Sequence, residues 1–190
     1  MRGKPKKGQY GYRNYHRNLQ LAKVIFGGAM ILVQLGARKF TDNQAAKNIL
    51  TVMAILSVLP TANVASSLLA SWIYKTPGKE FYERVRLFEE KGLILYDLII
   101  TSKEQIMAMD AIMVHPLGVF ALVSSPKTDG KKAEVFLNDI FKAHRLTPHV
   151  KVIKEERAFL KRLDSLRPAG ELEDDGSLEY GADVLKHLSM

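Results

Sequence analysis

The chain has 190 residues and no cysteine, which removes disulfides, thiolate metal sites, cysteine nucleophiles and lipidated thiols from consideration. Acids are nearly missing from residues 1–75, where Asp42 stands alone against eleven Lys and Arg. Charge of either sign is missing from Asn48 to Tyr74, twenty-seven residues in a row. There is no Gly-x-Ser-x-Gly elbow, no phosphate loop and no His-x-x-x-His pair, so the commonest hydrolase, nucleotide-binding and zinc patterns are excluded. The net charge of +8 is not spread over the chain: residues 1–75 carry +10 and residues 76–190 carry −2. That asymmetry argues for a membrane anchor at one end and against nucleic acid as the partner.

The uncharged run from Asn48 to Tyr74 would reach about 40 Å as a helix, against a hydrocarbon core of roughly 30 Å. It predicts a transmembrane helix over 48–74, kinked at Pro60. A first span is predicted over 19–38. Its uncharged centre, Val24–Ala37, is short, and Lys23 and Arg38 can extend their charged ends to the two interfaces. The short connection between them predicts an antiparallel hairpin. Gly27, Gly28 and Gly36 would face Ala54, Ser57, Ala65, Ser66, Ala70 and Ser71. Arg2, Lys4, Lys6, Lys7, Arg13 and Arg17 precede the hairpin, and Lys75, Lys79, Arg84 and Arg86 follow it. The positive-inside rule then gives a multi-pass protein of the cell membrane with both termini in the cytoplasm. Residues 1–18 read as a basic cytoplasmic tail, with Tyr10, Tyr12 and Tyr15 suited to an interface and the cations to anionic lipid headgroups.

From Pro77 the pattern is that of a small α/β domain, residues 77–167. Lys79–Lys91 predicts an amphipathic helix closed by Gly92. Leu93–Thr101 and Ile106–His115 predict buried strands, Pro116-Leu117-Gly118 a turn, and Val119–Ser125 the returning strand. A helix over Lys131–His144, a strand over His149–Ile153 and a helix over Glu155–Leu166 complete the order αβββαβ. Residues 168–190 read as an acidic tail: a solvated loop over Glu171–Ser177, then a short terminal helix. Tyr96 and Asp97, inside an apolar strand, read as a hydrogen-bonded core pair. The five histidines are scattered. Ser124 and Ser125 have only His115 as a base at the same hairpin end, an arrangement with little to recommend it over packing.

The stretch MDAIMVHPLGVFALV, Met109–Val123, resembles the nuclease-related domain (NERD) of the restriction-endonuclease-like fold. Asp110 matches the acid that opens a strand in that family, and Gly118-Val119-Phe120 matches its turn and the start of the next strand. The resemblance extends over roughly residues 79–154, with these fifteen carrying most of it. It implies a site in which Asp and Glu hold a divalent metal and Lys orients water. Here the Glu position is Val123, which has no oxygen ligand, and the Lys position is Ser125, which has no charge. The resemblance therefore implies an inactive relative without a cofactor: a membrane-tethered interaction or scaffold domain that binds a protein partner or itself. The alternative is a Mg²⁺-dependent nuclease with a migrated centre built from Asp110, Glu83 and Lys127. A third reading makes the domain an oligomerisation module for the hairpin.

Overall fold

A computed structural model of the chain describes residues 4–147, 149–171 and 176–190. Arg2 of the basic tail and residues 172–175 of the acidic loop lie outside the described residues. The chain divides into two compact units, residues 14–74 and a body made of the N-terminal residues to Arg13 together with 75–190.

The first unit is a pair of long helices. α1 spans Tyr12–Phe40 and α2 spans Gln44–Ser71, running without a break through Pro60. Asn43 starts α2 by accepting hydrogen bonds from the N–H groups of Ala45 and Ala46, the usual role of a side-chain oxygen at a helix N-cap. α1 is longer than the 19–38 predicted. Both helices are long and apolar enough to cross a membrane. Their large side chains point outward: Phe26 is 69% exposed, Leu32 71% and Leu59 70%. What they turn toward each other is polar or small. Gln20 Nε2 donates to Ser67 Oγ at 3.2 Å and Gln34 Nε2 to Ser57 Oγ at 3.4 Å. Gly27 sits midway between the two glutamines, where an added Cβ would lie within 3 Å of the Thr61 side chain. Of the three glycines expected at this seam, Gly28 and Gly36 have no neighbour within 4 Å of such a Cβ. The spacing of Gln20, Gly27 and Gln34 keeps them on one face, and the paired positions on α2 run the opposite way, as an antiparallel hairpin requires.

The body has the element order α3 (Lys79–Arg86), β1 (Leu93–Thr101), β2 (Ile106–His115), β3 (Gly118–Leu122), α4 (Gly130–Ala143), β4 (Val150–Ile153), α5 (Glu156–Asp164) and α6 (Ser177–Leu188). The strands form one mixed sheet in the order β1-β2-β3-β4, with two antiparallel hairpins followed by a parallel pair. α4 supplies the crossover that a parallel pair needs. One sheet face packs Leu98, Ile100, Met107, Met109 and Ile112 against Leu137, Phe141 and Leu185 of α4 and α6. The other packs Tyr96, Ala111, Met113 and Phe120 against Phe81, Val85, Phe159 and Leu163 of α3 and α5. Burial of both faces explains why β2 reads as an almost unbroken apolar run.

β3 ends at Leu122, so Val123–Ser125 lie beyond the strand expected over Val119–Ser125, and three further parts of the body differ from the sequence expectation. The first helix of the body stops at Arg86 and gives way to a 3₁₀ turn at Glu89–Lys91. Gly92 follows in extended backbone, needed because a Cβ there would fall 2.7 Å from Met113 Sδ. The acidic C-terminal segment is no free tail after Gly176: α6 buries Ala182, Val184 and Leu185, and the Met190 N–H bonds Ile99 O at 2.9 Å. Nor is the N-terminal segment free. Gly8 O accepts from the Tyr96 N–H at 2.8 Å and Lys7 Nζ donates to Ser189 O at 2.6 Å. The outer edge of β1 is therefore covered from both chain ends. The outer edge of β4 is closed by α4: Asn138 bonds both the N–H and the C=O of Val150, and Glu134 accepts from the Val152 N–H.

Candidate functional site

Two charged residues interrupt the two longest strands, Asp97 on β1 and Asp110 on β2. The antiparallel register pairs Tyr96 with Ala111 and Leu98 with Met109, so the two aspartates occupy directly opposed positions. Here the alternation of both strands changes phase. Leu95 and then Leu98 and Ile100 face one core, as do Met109 and then Ile112 and Val114, while the register on either side is unbroken. Asp97 is in the left-handed region at φ 59°, a conformation that costs of order 1–3 kcal/mol outside glycine and persists only where surrounding contacts hold it. Asp97 is 1% exposed and Asp110 5%. Two like charges facing each other inside a sheet repel strongly and require a counter-ion.

Arg13, itself 4% exposed, is that counter-ion. Nη1 donates to Asp110 Oδ1 at 3.1 Å and to Lys75 O at 2.7 Å, and Nη2 donates to Met109 O at 3.0 Å and Leu98 O at 3.5 Å. Nε faces Asp97 Oδ1 at 3.9 Å, and neither of these two atoms has a hydrogen-bond partner. Five oxygens thus surround one guanidinium. The other Asp97 oxygen accepts from the Gly11 N–H at 2.7 Å and from Thr76 Oγ1 at 2.8 Å. Burial pushes the Asp97 carboxyl above the ordinary aspartate range, against the pull of Arg13, Thr76 and the Gly11 N–H. One cation between two carboxylates leaves an excess negative charge in the cluster. Asp110 Oδ2 is held from the other side by the N–H of Ser124, at 3.0 Å, and by the Ser124 hydroxyl.

The segment leading to Arg13 is anchored along its length. Gly8 has φ 84° and a Cβ there would meet Leu95 Cδ2 at 3.0 Å, so only glycine suits this approach to β1,. The Tyr10 ring stacks on Tyr82 at 4.4 Å between centroids, stands edge-on to Tyr96, and its hydroxyl donates to Pro77 O at 2.8 Å. The residues just before the hairpin and those just after it therefore meet on the same carboxylates.

The other residues singled out by sequence lie apart from this cluster. Glu83 is exposed on α3, where it pairs with Lys79 at 3.1 Å. Lys127 is exposed in the turn before α4. Val123 is fully buried, with its N–H on Ile153 O, and Ser125 O accepts from the Thr128 N–H. Among the described residues no group of three His, Asp or Glu is placed to hold a metal ion. Ser124 and His115 stand at opposite ends of the β2–β3 hairpin, not at one end: His115 pairs with Gly118 at the turn, whereas Ser124 reaches Asp110. His115 bonds Arg167 O and the Leu117 N–H instead. Tyr96 and Asp97 do not bond each other; the Tyr96 hydroxyl donates to Glu89. Sequence reasoning missed Arg13 and the pairing of Asp97 with Asp110. No family model, curated protein or solved structure matches the chain.

Proposed function

We propose that the chain is a membrane-anchored interaction protein whose body has no hydrolytic role. In this reading α1 and α2 cross the bilayer as a hairpin, and the N-terminal segment and the body share the cytoplasmic side. Two crossings return the chain to the side it left, which agrees with residues 4–13 being packed into the same body as 75–190. The cations flanking the hairpin select the cytoplasm for that side.

The observation that carries the non-catalytic reading is the occupation of Asp110. In a nuclease-like frame this carboxylate would take a divalent cation beside a scissile phosphate. Here one of its oxygens is committed to Arg13 and the other to Ser124. A buried guanidinium at that place offers neither a Lewis acid nor an activated water. In this reading Asp110 belongs to a restriction-endonuclease-like scaffold and has become a structural counter-ion, with Val123 and Ser125 as the positions that lost the remaining ligands.

The test is hydrolysis of plasmid DNA and of RNA by the full-length chain in detergent, with Mg²⁺ or Mn²⁺. No cleavage is expected. Cleavage that disappears in Asp110→Asn would replace this reading with that of a nuclease. Alkaline washing of membranes carrying the chain tests the anchor: it should stay in the pellet, and release into the wash would remove the membrane half of the proposal.

A further inference from the structure

The segment from Lys4 to Arg13 is bound to the body in the manner of a ligand. It adds to the β1 edge through one main-chain bridge, Gly8 to Tyr96. Its remaining hold comes from separate anchors: Lys7 on Ser189 O, the Tyr10 ring on Tyr82, the Gly11 N–H on Asp97 and Arg13 among five oxygens. Main-chain bonds to a sheet edge joined by side-chain anchors in pockets are a recurring means of peptide recognition, and here the backbone makes one such bond between two turns. A buried arginine and an aromatic ring are the residue types that dominate such contacts.

We propose that this slot is a recognition site for protein segments of the form Gly-x-Tyr-Gly-x-Arg that turn at their two glycines and carry the arginine in the first turn of a helix, as Gly8, Gly11 and Arg13 do, and that residues 4–13 are its resident competitor. The proposal rests on the reading of the body as an interaction domain and names the chemistry of its partner. The slot selects for arginine because its base is two opposed carboxylates, Asp97 and Asp110, with the carbonyls of Lys75, Leu98 and Met109 around them. A lysine presents a single ammonium and cannot reach these acceptors as a fork. The slot selects for an aromatic three residues earlier because Tyr82 and Tyr96 form the walls on which Tyr10 rests. Glycine is required five residues before the arginine, where the backbone has φ 84° against Leu95.

A resident segment on the same chain has an effective concentration of the order of millimolar. A partner of equal intrinsic affinity at micromolar concentration is therefore held off about a thousandfold, and binds once the resident segment is weakened. The other edge of the sheet does not compete for such a partner, since Asn138 and Glu134 close β4.

The experiment uses full-length chain in detergent and a fluorescent synthetic peptide with the sequence of residues 4–13. The Arg13→Ala chain should bind the peptide at least tenfold more tightly than the wild-type chain, and the same peptide with alanine in place of its arginine should lose at least tenfold. Should Arg13→Ala not yield folded protein, Tyr10→Ala is used with the same expectations. Equal binding to variant and wild type, no binding to either, or equal binding of the two peptides overturns the proposal. None of these outcomes bears on whether the body cleaves nucleic acid, so the two readings fail separately.

Discussion

The two units of this protein bury opposite things. The body hides leucine, isoleucine, methionine and phenylalanine on both faces of its sheet and leaves lysine and glutamate outside. The hairpin turns Ile25, Phe26, Leu32, Val33, Leu56 and Leu59 outward and keeps Gln20, Gln34, Ser57 and Ser67 at its seam. In water the hairpin's arrangement would expose a large apolar surface without compensation. In lipid it is the expected one, because apolar side chains gain nothing by meeting each other there and close packing with interhelical hydrogen bonds holds the helices together. The body in turn buries a cluster of charged side chains in its apolar interior, Arg13, Asp97 and Asp110, and this exception ties together the chain flanking both ends of the hairpin.

The comparison is broken most severely by removing the exception. Arg13→Ala leaves two opposed carboxylates buried without a cation, and loss of one partner from a buried ion pair costs about 3–5 kcal/mol. Denaturant unfolding followed through body signals should show that loss, while α1 and α2 keep their helical signal.

The same contacts allow the units to be separated. Arg13 Nη1 lies 2.7 Å from Lys75 O, so residues 14–74 can be replaced by a short Gly/Ser linker. The resulting chain should be soluble without detergent and fold cooperatively. A fragment of 75–190 alone should be destabilised by more than Arg13→Ala, because it lacks the same guanidinium together with the Gly8 bridge, the Tyr10 stack and the Gly11 bond to Asp97. Equal stability of the two soluble forms in thermal melts would show that residues 4–13 contribute nothing.

A smaller effect is expected in the hairpin. Gly27→Val places a Cβ against Thr61, whose hydroxyl is engaged with Ser57 O at 2.8 Å, and overpacking of this kind costs about 1–3 kcal/mol. Cysteines introduced at positions 20 and 67, in a chain that otherwise has none, should cross-link less efficiently in this variant, with body stability unchanged.

The smallest effect concerns pH. Burial raises the Asp97 carboxyl above its unfolded value, so the folded body binds more protons than the unfolded chain between the two. Its stability therefore falls as pH rises from the ordinary aspartate range through the folded value. Asp97→Asn should flatten that slope in melts across the acidic range.

Much of the architecture was legible. The uncharged run gives α2, the alternation of turn residues with apolar runs gives the four strands, and the order αβββαβ follows from them. The site was legible only in half. Asp97 and Asp110 each break an otherwise apolar strand, LILYDLIIT and IMAMDAIMVH, and a buried charge announces a missing partner. The partner lies 97 residues away from Asp110, on the far side of both long helices, and nothing local marks Arg13 among the other N-terminal cations. Composition assigned all of them to a membrane surface. Only the fold distinguishes the one that is buried. Likewise the change of phase at Asp97 and Asp110 is invisible in the sequence, because both faces of the sheet are buried and neither strand has a polar–apolar alternation to break,.

The most direct test of the account is a double-mutant cycle between Arg13→Ala and Asp110→Ala, read as unfolding free energy of the body. Residues in one buried network couple by about 0.5–3 kcal/mol, and the geometry of this pair predicts a value in the upper half of that range. Strict additivity of the two substitutions would contradict the claim that the N-terminal arginine is the counter-ion of the sheet.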